Sequence, residues 1–154
     1  MADELIQTGQ PAPDFSLVAD NGETVSLADY KDTQHVVLYF MREFNWMQCR
    51  HHAAQLGKLY NELQEQDTEV LVIGGGSSER AAKLKKSLKL PMPVLADADR
   101  AVYLSYGLDK AMLIVQRSAS LLVDKQGVVR YFHKATNPNN SVDKASLMEA
   151  VATL

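Results

Sequence analysis

The stretch His35-Val36-Val37-Leu38-Tyr39-Phe40-Met41-Arg42-Glu43-Phe44-Asn45-Trp46-Met47-Gln48-Cys49-Arg50 decides how this chain folds. Residues 35–40 form a short continuous apolar run, the pattern of a strand buried on both faces. A helix is predicted over 46–65, where Cys49, Ala53, Leu56, Tyr60 and Leu63 recur at intervals of four and three and so share one face. Asn45 is a good N-cap residue, and Gln48 three positions later gives a weaker form of the capping box. A buried strand that feeds an amphipathic helix is one step of an open α/β sheet.

Working outward, residues 1–13 read as an irregular lead-in containing Pro11 and Pro13. Asp14–Asp20 alternates like a strand, Asn21-Gly22 is a two-residue turn signal, and Glu23–Leu27 returns as the partner strand. Downstream, Glu69–Gly74 reads as a second buried strand and residues 78–88 as a Lys-rich helix. Pro93–Ala96 is a short strand, and Asp97 or Asp99 caps a short helix ending near Tyr106-Gly107. Leu113–Val123 and Val128–His133 read as strands joined at Asp124-Lys125-Gln126-Gly127, and Ser141 or Asp143 opens a terminal helix. The expectation is one three-layer α/β domain over residues 1–154, with a central mixed sheet, helices on both faces and an N-terminal β-hairpin.

The chain has 154 residues, enough for a sizeable core without disulfides or a structural metal. A formal net charge of −3 argues against nucleic acid as the main partner. No apolar run approaches the roughly 20 residues of a membrane helix. Acid stands near the start, where a secretory signal carries base. A lone cysteine makes neither an internal disulfide nor a zinc site of cysteines, so a cytoplasmic, reducing setting is expected.

That one cysteine, Cys49, falls in the first turn of its helix, flanked by Arg42 and Arg50. Unpaired amides and the helix dipole there favour a thiolate. The junction also lies at the carboxyl end of a parallel strand, where open α/β sheets place their sites. Against this, free cysteine often behaves as a small buried hydrophobe. His51 and His52 point about a quarter-turn or more apart and do not share a metal easily; either both lie on solvated surface or one is packed and one exposed. Gly74-Gly75-Gly76-Ser77-Ser78 matches no phosphate-loop spacing, so it reads as a permissive turn with a serine helix cap. Asp97 and Asp99 read as caps, and Lys83–Lys89 as a solvated helix face.

The segments Gly9-Gln-Pro-Ala-Pro-Asp-Phe15, Val36-Val-Leu-Tyr-Phe40, Cys49, Val70-Leu-Val-Ile-Gly74, Leu90-Pro-Met-Pro-Val-Leu-Ala-Asp97, Tyr106-Gly-Leu108 and Leu121-Leu-Val-Asp-Lys-Gln-Gly-Val128 occur in an order that resembles the peroxiredoxins of the alkyl hydroperoxide reductase type. The resemblance spans nearly the whole chain and implies a thioredoxin-like fold. The family signature is Pro-x-x-x-Thr-x-x-Cys plus a distant arginine. Cys49 falls on the peroxidatic cysteine, Arg42 on the proline and Trp46 on the threonine. An indole N–H only donates, whereas a threonine hydroxyl donates and accepts. Relatives with a Cys-x-x-Cys pair would carry the first cysteine at position 46, so exchange within the chain is ruled out. Arg117 best matches the distant arginine, about one residue early, and Ser118 stands where relatives keep a cis-proline.

The resemblance implies a one-cysteine thiol peroxidase, an antioxidant oxidoreductase. Cys49 and Arg117 would carry the chemistry, and Trp46 and Arg42 would contact substrate. The implied partners are a hydroperoxide, an external thiol reductant such as thioredoxin or glutathione, and a second copy in a homodimer. No metal or other cofactor is called for, nor nucleic acid or membrane. Two alternatives stand beside it: a binding or regulatory protein on the same scaffold with catalysis lost, and a thiol-disulfide carrier using Cys49 alone.

Overall fold

The computed structural model describes residues 6–44, 47–108, 110–111, 115–116, 118–135 and 143–154. In chain order the elements are β1 (Ser16–Ala19), β2 (Thr24–Ser26), a 3-10 turn (Leu27–Tyr30), β3 (His35–Phe40), α1 (Met47–Glu65), β4 (Thr68–Gly74), α2 (Ser78–Leu88), β5 (Val94–Ala96) and α3 (Ala101–Ser105). They continue with β6 (Lys110–Ala111), β7 (Val115–Gln116), β8 (Ser118–Val123), β9 (Val129–Ala135) and α4 (Lys144–Ala152). Seven strands make one sheet in the order β2-β1-β5-β4-β3-β8-β9. Its centre, β3-β4-β5, is parallel, while β1, β8 and β9 join antiparallel. No helix among the described residues is long and apolar enough to cross a membrane.

Alternation along β3 splits the core into two layers. Val37 and Tyr39 pack with Cys49, Ala53, Leu56 and Leu63 of α1, together with residues of α2 and α4. Val36, Leu38 and Phe40 face the other way, onto Tyr103, Tyr106 and Phe15, the residue before β1. The strand is buried on both faces, as its apolar run implies. On α1 the expected face is realised, with Tyr60 the half-buried member at its edge.

Several predicted junctions hold and others shift. Ser77 caps α2 by accepting from the Arg80 N–H, and Asp143 caps α4 by accepting from the Ser146 N–H. The first hairpin turns over three residues, Asp20–Gly22, rather than two: Ala19 N–H donates to the Glu23 carbonyl (2.7 Å) and Gly22 N–H to the Ala19 carbonyl (2.9 Å). Gly22, at φ 85°, takes the left-handed position of that wider turn. Of the long strand expected over 113–123, Val115–Gln116 pairs with β6 and Ser118–Val123 lies in the main sheet between β3 and β9, while residues 113, 114 and 117 lie outside the described residues. Asn45 and Ser141, expected caps, lie outside the described residues.

The glycine run after β4 has a different cause from the one its composition suggests. None of Gly74, Gly75 and Gly76 takes a positive φ. They are glycines because other side chains lie against the backbone. A Cβ on Gly74 would sit 2.1 Å from Phe44 Cε1, and one on Gly75 would sit 2.3 Å from Arg100 Cζ. The aromatic ring comes from the loop after β3, so this close approach locks that loop onto the sheet. Gly74→Ala is expected to destabilise the fold by about 2–3 kcal/mol, because the buried ring must leave its place; urea denaturation measures it.

Candidate active site

Cys49 is the third residue of α1, fully buried, just beyond the carboxyl end of β3. The loop between them turns back so that the backbone N–H of Arg42 donates to Cys49 Sγ at 3.3 Å. Below the sulfur, Tyr39 Oη donates to the Cys49 carbonyl at 3.2 Å, tying the helix start to the strand. Cys49 belongs to the buried apolar cluster that also includes Met41 and Phe44.

The two flanking arginines separate. Arg42 is buried (5% exposed), its cation held inside the protein on the residue whose amide meets the sulfur. Arg50 turns to α2, where Nη2 donates to Ser87 Oγ at 2.8 Å. Trp46 and Arg117, the other two candidates from the sequence, lie outside the described residues. His52 is buried and His51 exposed, as expected of neighbours on a helix. His52 Nδ1 meets Gln55 Oε1 at 3.3 Å, and its ring is edge-on to Tyr39. Among the described residues no cluster of side chains is suited to a metal ion.

A second set of residues around this loop carried no signal in the sequence reading. Arg100 Nη2 donates to Glu43 Oε1 at 2.9 Å and to the Gly75 carbonyl at 3.4 Å. Its guanidinium carbon lies 5.1 Å from the centre of the Tyr103 ring, a cation–π distance. The single proton of Tyr103 Oη faces two carbonyls, Met41 at 2.5 Å and, further away, Ile73 at 3.0 Å. Burial pushes the Tyr103 phenol well above its ordinary range, so it stays a neutral donor; the Arg100 cation opposes that rise. The N-cap position of α3 is Arg100, not either aspartate, but both carboxylates take first-turn amides: Asp97 Oδ2 accepts from the Tyr103 N–H (3.0 Å) and Asp99 Oδ1 from the Ala101 N–H (3.1 Å). Burial raises the Asp97 carboxyl above the usual carboxylate range, against that amide bond. In the sequence this network shows only through Asp97 and Asp99, read as caps, and through the glycine run, which makes room for Arg100.

A mixed sheet with a buried thiol at the β3–α1 junction defines a thioredoxin-fold thiol protein. The AhpC/TSA family profile matches residues 8–132, which include Cys49 and Arg42. Peroxiredoxin Bcp of Bacillus subtilis is 31% identical over 129 residues, covering 79% of this chain and 81% of its own. Peroxiredoxin Q of Sedum lineare, a chloroplastic protein, is 27% identical over 90% of this chain and 75% of its own. Among solved structures, peroxidoxin BcpB from Mycobacterium tuberculosis superposes with a TM-score of 0.83 at 21% identity, over 96% of both chains, a likeness of fold. The chain belongs to the AhpC/TSA family and is a thioredoxin-fold peroxiredoxin.

The geometry distinguishes the two flanking cations by experiment. Arg50→Ala is expected to change the rate of Cys49 alkylation by less than about twofold, since a half-buried guanidinium bonded to Ser87 on α2 is largely screened from the sulfur. A larger change would place Arg50 at the thiol.

Proposed function

We propose that this chain is a one-cysteine thiol peroxidase. Cys49 as thiolate attacks the terminal oxygen of a hydroperoxide; the O–O bond breaks, the alkoxide takes a proton and leaves as alcohol, and Cys49 becomes a sulfenic acid. With no other cysteine in the sequence, the sulfenic acid is reduced from outside. One external thiol displaces water to form a mixed disulfide, and a second releases the Cys49 thiol and leaves as a disulfide. Thioredoxin and glutathione are reductants of this kind, and a cytoplasmic setting would keep them reduced.

The observation that carries this reading is the Arg42 N–H directed at Cys49 Sγ in the first turn of α1. The family motif has proline at position 42, which has no N–H to give. Arginine there supplies a donor to the sulfur, and it stands in for part of the hydrogen bonding that threonine would offer at position 46. Arg117 takes the place of the family's distant arginine and would stabilise charge on the departing oxygen. Trp46 and Arg42 would bound the approach to the sulfur. Because Cys49 is fully buried in this state, peroxide reaches it only as the loop and the first turn of α1 yield.

Intact mass after one equivalent of peroxide is expected to rise by one oxygen atom, on Cys49 alone, and a dimedone adduct replaces that oxygen. Cys49→Ser should abolish both the adduct and peroxide consumption. Peroxide consumption that survives in Cys49→Ser, or wild-type protein that never gains oxygen, would end the proposal and favour a binding role for the scaffold.

A further inference from the structure

Cys49 and Tyr103 belong to opposite layers of the core, one packed under α1 and the other on the far face of the sheet. Their polar atoms nevertheless meet at a single peptide unit. The carbonyl of Met41 accepts from Tyr103 Oη, and the N–H of Arg42, the other half of the same peptide, donates to Cys49 Sγ. A trans peptide directs its C=O and N–H in opposite directions, and no cis bond occurs among the described residues. One amide plane thus spans the end of β3, held by a phenol on one side and presented to the thiol on the other.

We propose that Tyr103 is a positioning residue for the peroxidatic sulfur: its bond to the Met41 carbonyl fixes the plane of the Met41–Arg42 peptide and strengthens the N–H that this peptide gives to Cys49. The peptide lies past the last residue of β3, so strand pairing does not fix its rotation on the Arg42 side; on the other side Met41 N–H donates to the Ile73 carbonyl at 2.8 Å. A hydrogen bond accepted at a carbonyl polarises the amide and makes its N–H a better donor. The phenol is itself held at several points. Its ring stands edge-on to Phe40 with centres 5.1 Å apart, and the Arg100 guanidinium lies over its face. Its own backbone N–H is anchored on Asp97. The arrangement depends on residue 42 not being proline: with the family proline, the same tyrosine would grip a peptide that has nothing to give the sulfur. Among the described residues, the charged and titratable groups on or beside this assembly include Arg42 itself, Glu43 on the loop, and Arg100 and Asp97 beside Tyr103.

The proposal rests on Cys49 reacting as a thiolate, not on what it reacts with, so the test reads alkylation by iodoacetamide rather than peroxide turnover. The pH profile of alkylation is compared in wild type, Tyr103→Phe, Arg42→Ala, Arg42→Pro and the two double variants. Tyr103→Phe keeps the ring and its contact with Phe40. It is expected to move the midpoint of the profile upward and slow alkylation at pH 7 by about three- to tenfold, as for weakening one hydrogen bond to an ionised group. In Arg42→Ala, which keeps the N–H, Tyr103→Phe retains that effect; in Arg42→Pro, which removes it, the added effect falls below about twofold, the signature of two groups acting through one contact. An equal effect in both Arg42 backgrounds, or none in wild type, overturns the proposal. Should a variant fail to fold, 3-fluorotyrosine at position 103 keeps the shape and donates more strongly. The midpoint should then move downward, and an unmoved midpoint also overturns the proposal. A chain that passes this test and does not consume peroxide would refute the peroxidase reading alone.

Discussion

The carboxyl end of β3 is where the molecule is most constrained. A strand buried on both faces must deliver its last backbone groups somewhere, because unpaired amides inside a protein are costly. Here Met41 N–H goes to the Ile73 carbonyl, the Met41 carbonyl to Tyr103 and the Arg42 N–H to a sulfur. Satisfying the backbone at this edge and building a hydrogen bond to the thiol are the same act. The site is therefore a property of the strand end, and side chains from both core layers are recruited to it.

Around that edge, the loop after β3 is held on two flanks. Phe44 lies against Gly74, and the Arg100–Glu43 pair spans from the residue before α3 to the loop over Gly75. The pair is partly exposed and worth little as an isolated ion pair. Its weight comes from the ring beneath the guanidinium and the backbone carbonyl beside it. Burial of Cys49 follows from the same packing, since α1 docks through Cys49, Ala53, Leu56 and Leu63 as one apolar face. The thiol is at once a member of the core and the acceptor of the loop's amide, which places helix docking and thiol chemistry on one residue.

Other interactions support the fold without touching the site. At the opposite end of the sheet Asp124 is buried, yet accepts from the Gln126 and Val128 amides and from Arg130 Nε. Burial alone would raise its carboxyl; the amide bonds and the Arg130 cation outweigh it and hold the group below the usual carboxylate range. A depressed carboxyl stabilises the fold above its unfolded value of 3.8 and loses that contribution as pH falls through its lower folded value. This hairpin, read from Asp124–Gly127 in the sequence, is thus fixed by one carboxylate.

The sequence by itself determined the β-α step at 35–65, the helix over 78–88, the terminal helix after Asp143 and the single reactive candidate, Cys49, because periodicity and capping are local properties written in residue type. It also carried the departures at positions 42 and 46 from the family motif. Only the tertiary structure decided which of the two flanking arginines meets the sulfur, and through which atoms: the contact is a backbone amide, which every residue but proline possesses and which no composition reveals. Tyr103, Arg100 and Glu43 stayed hidden for the same reason, since their partners are carbonyls and ring faces reached across the sheet. The glycine run was legible as glycine, but its cause was not, because the crowding side chains come from elements far away in the chain.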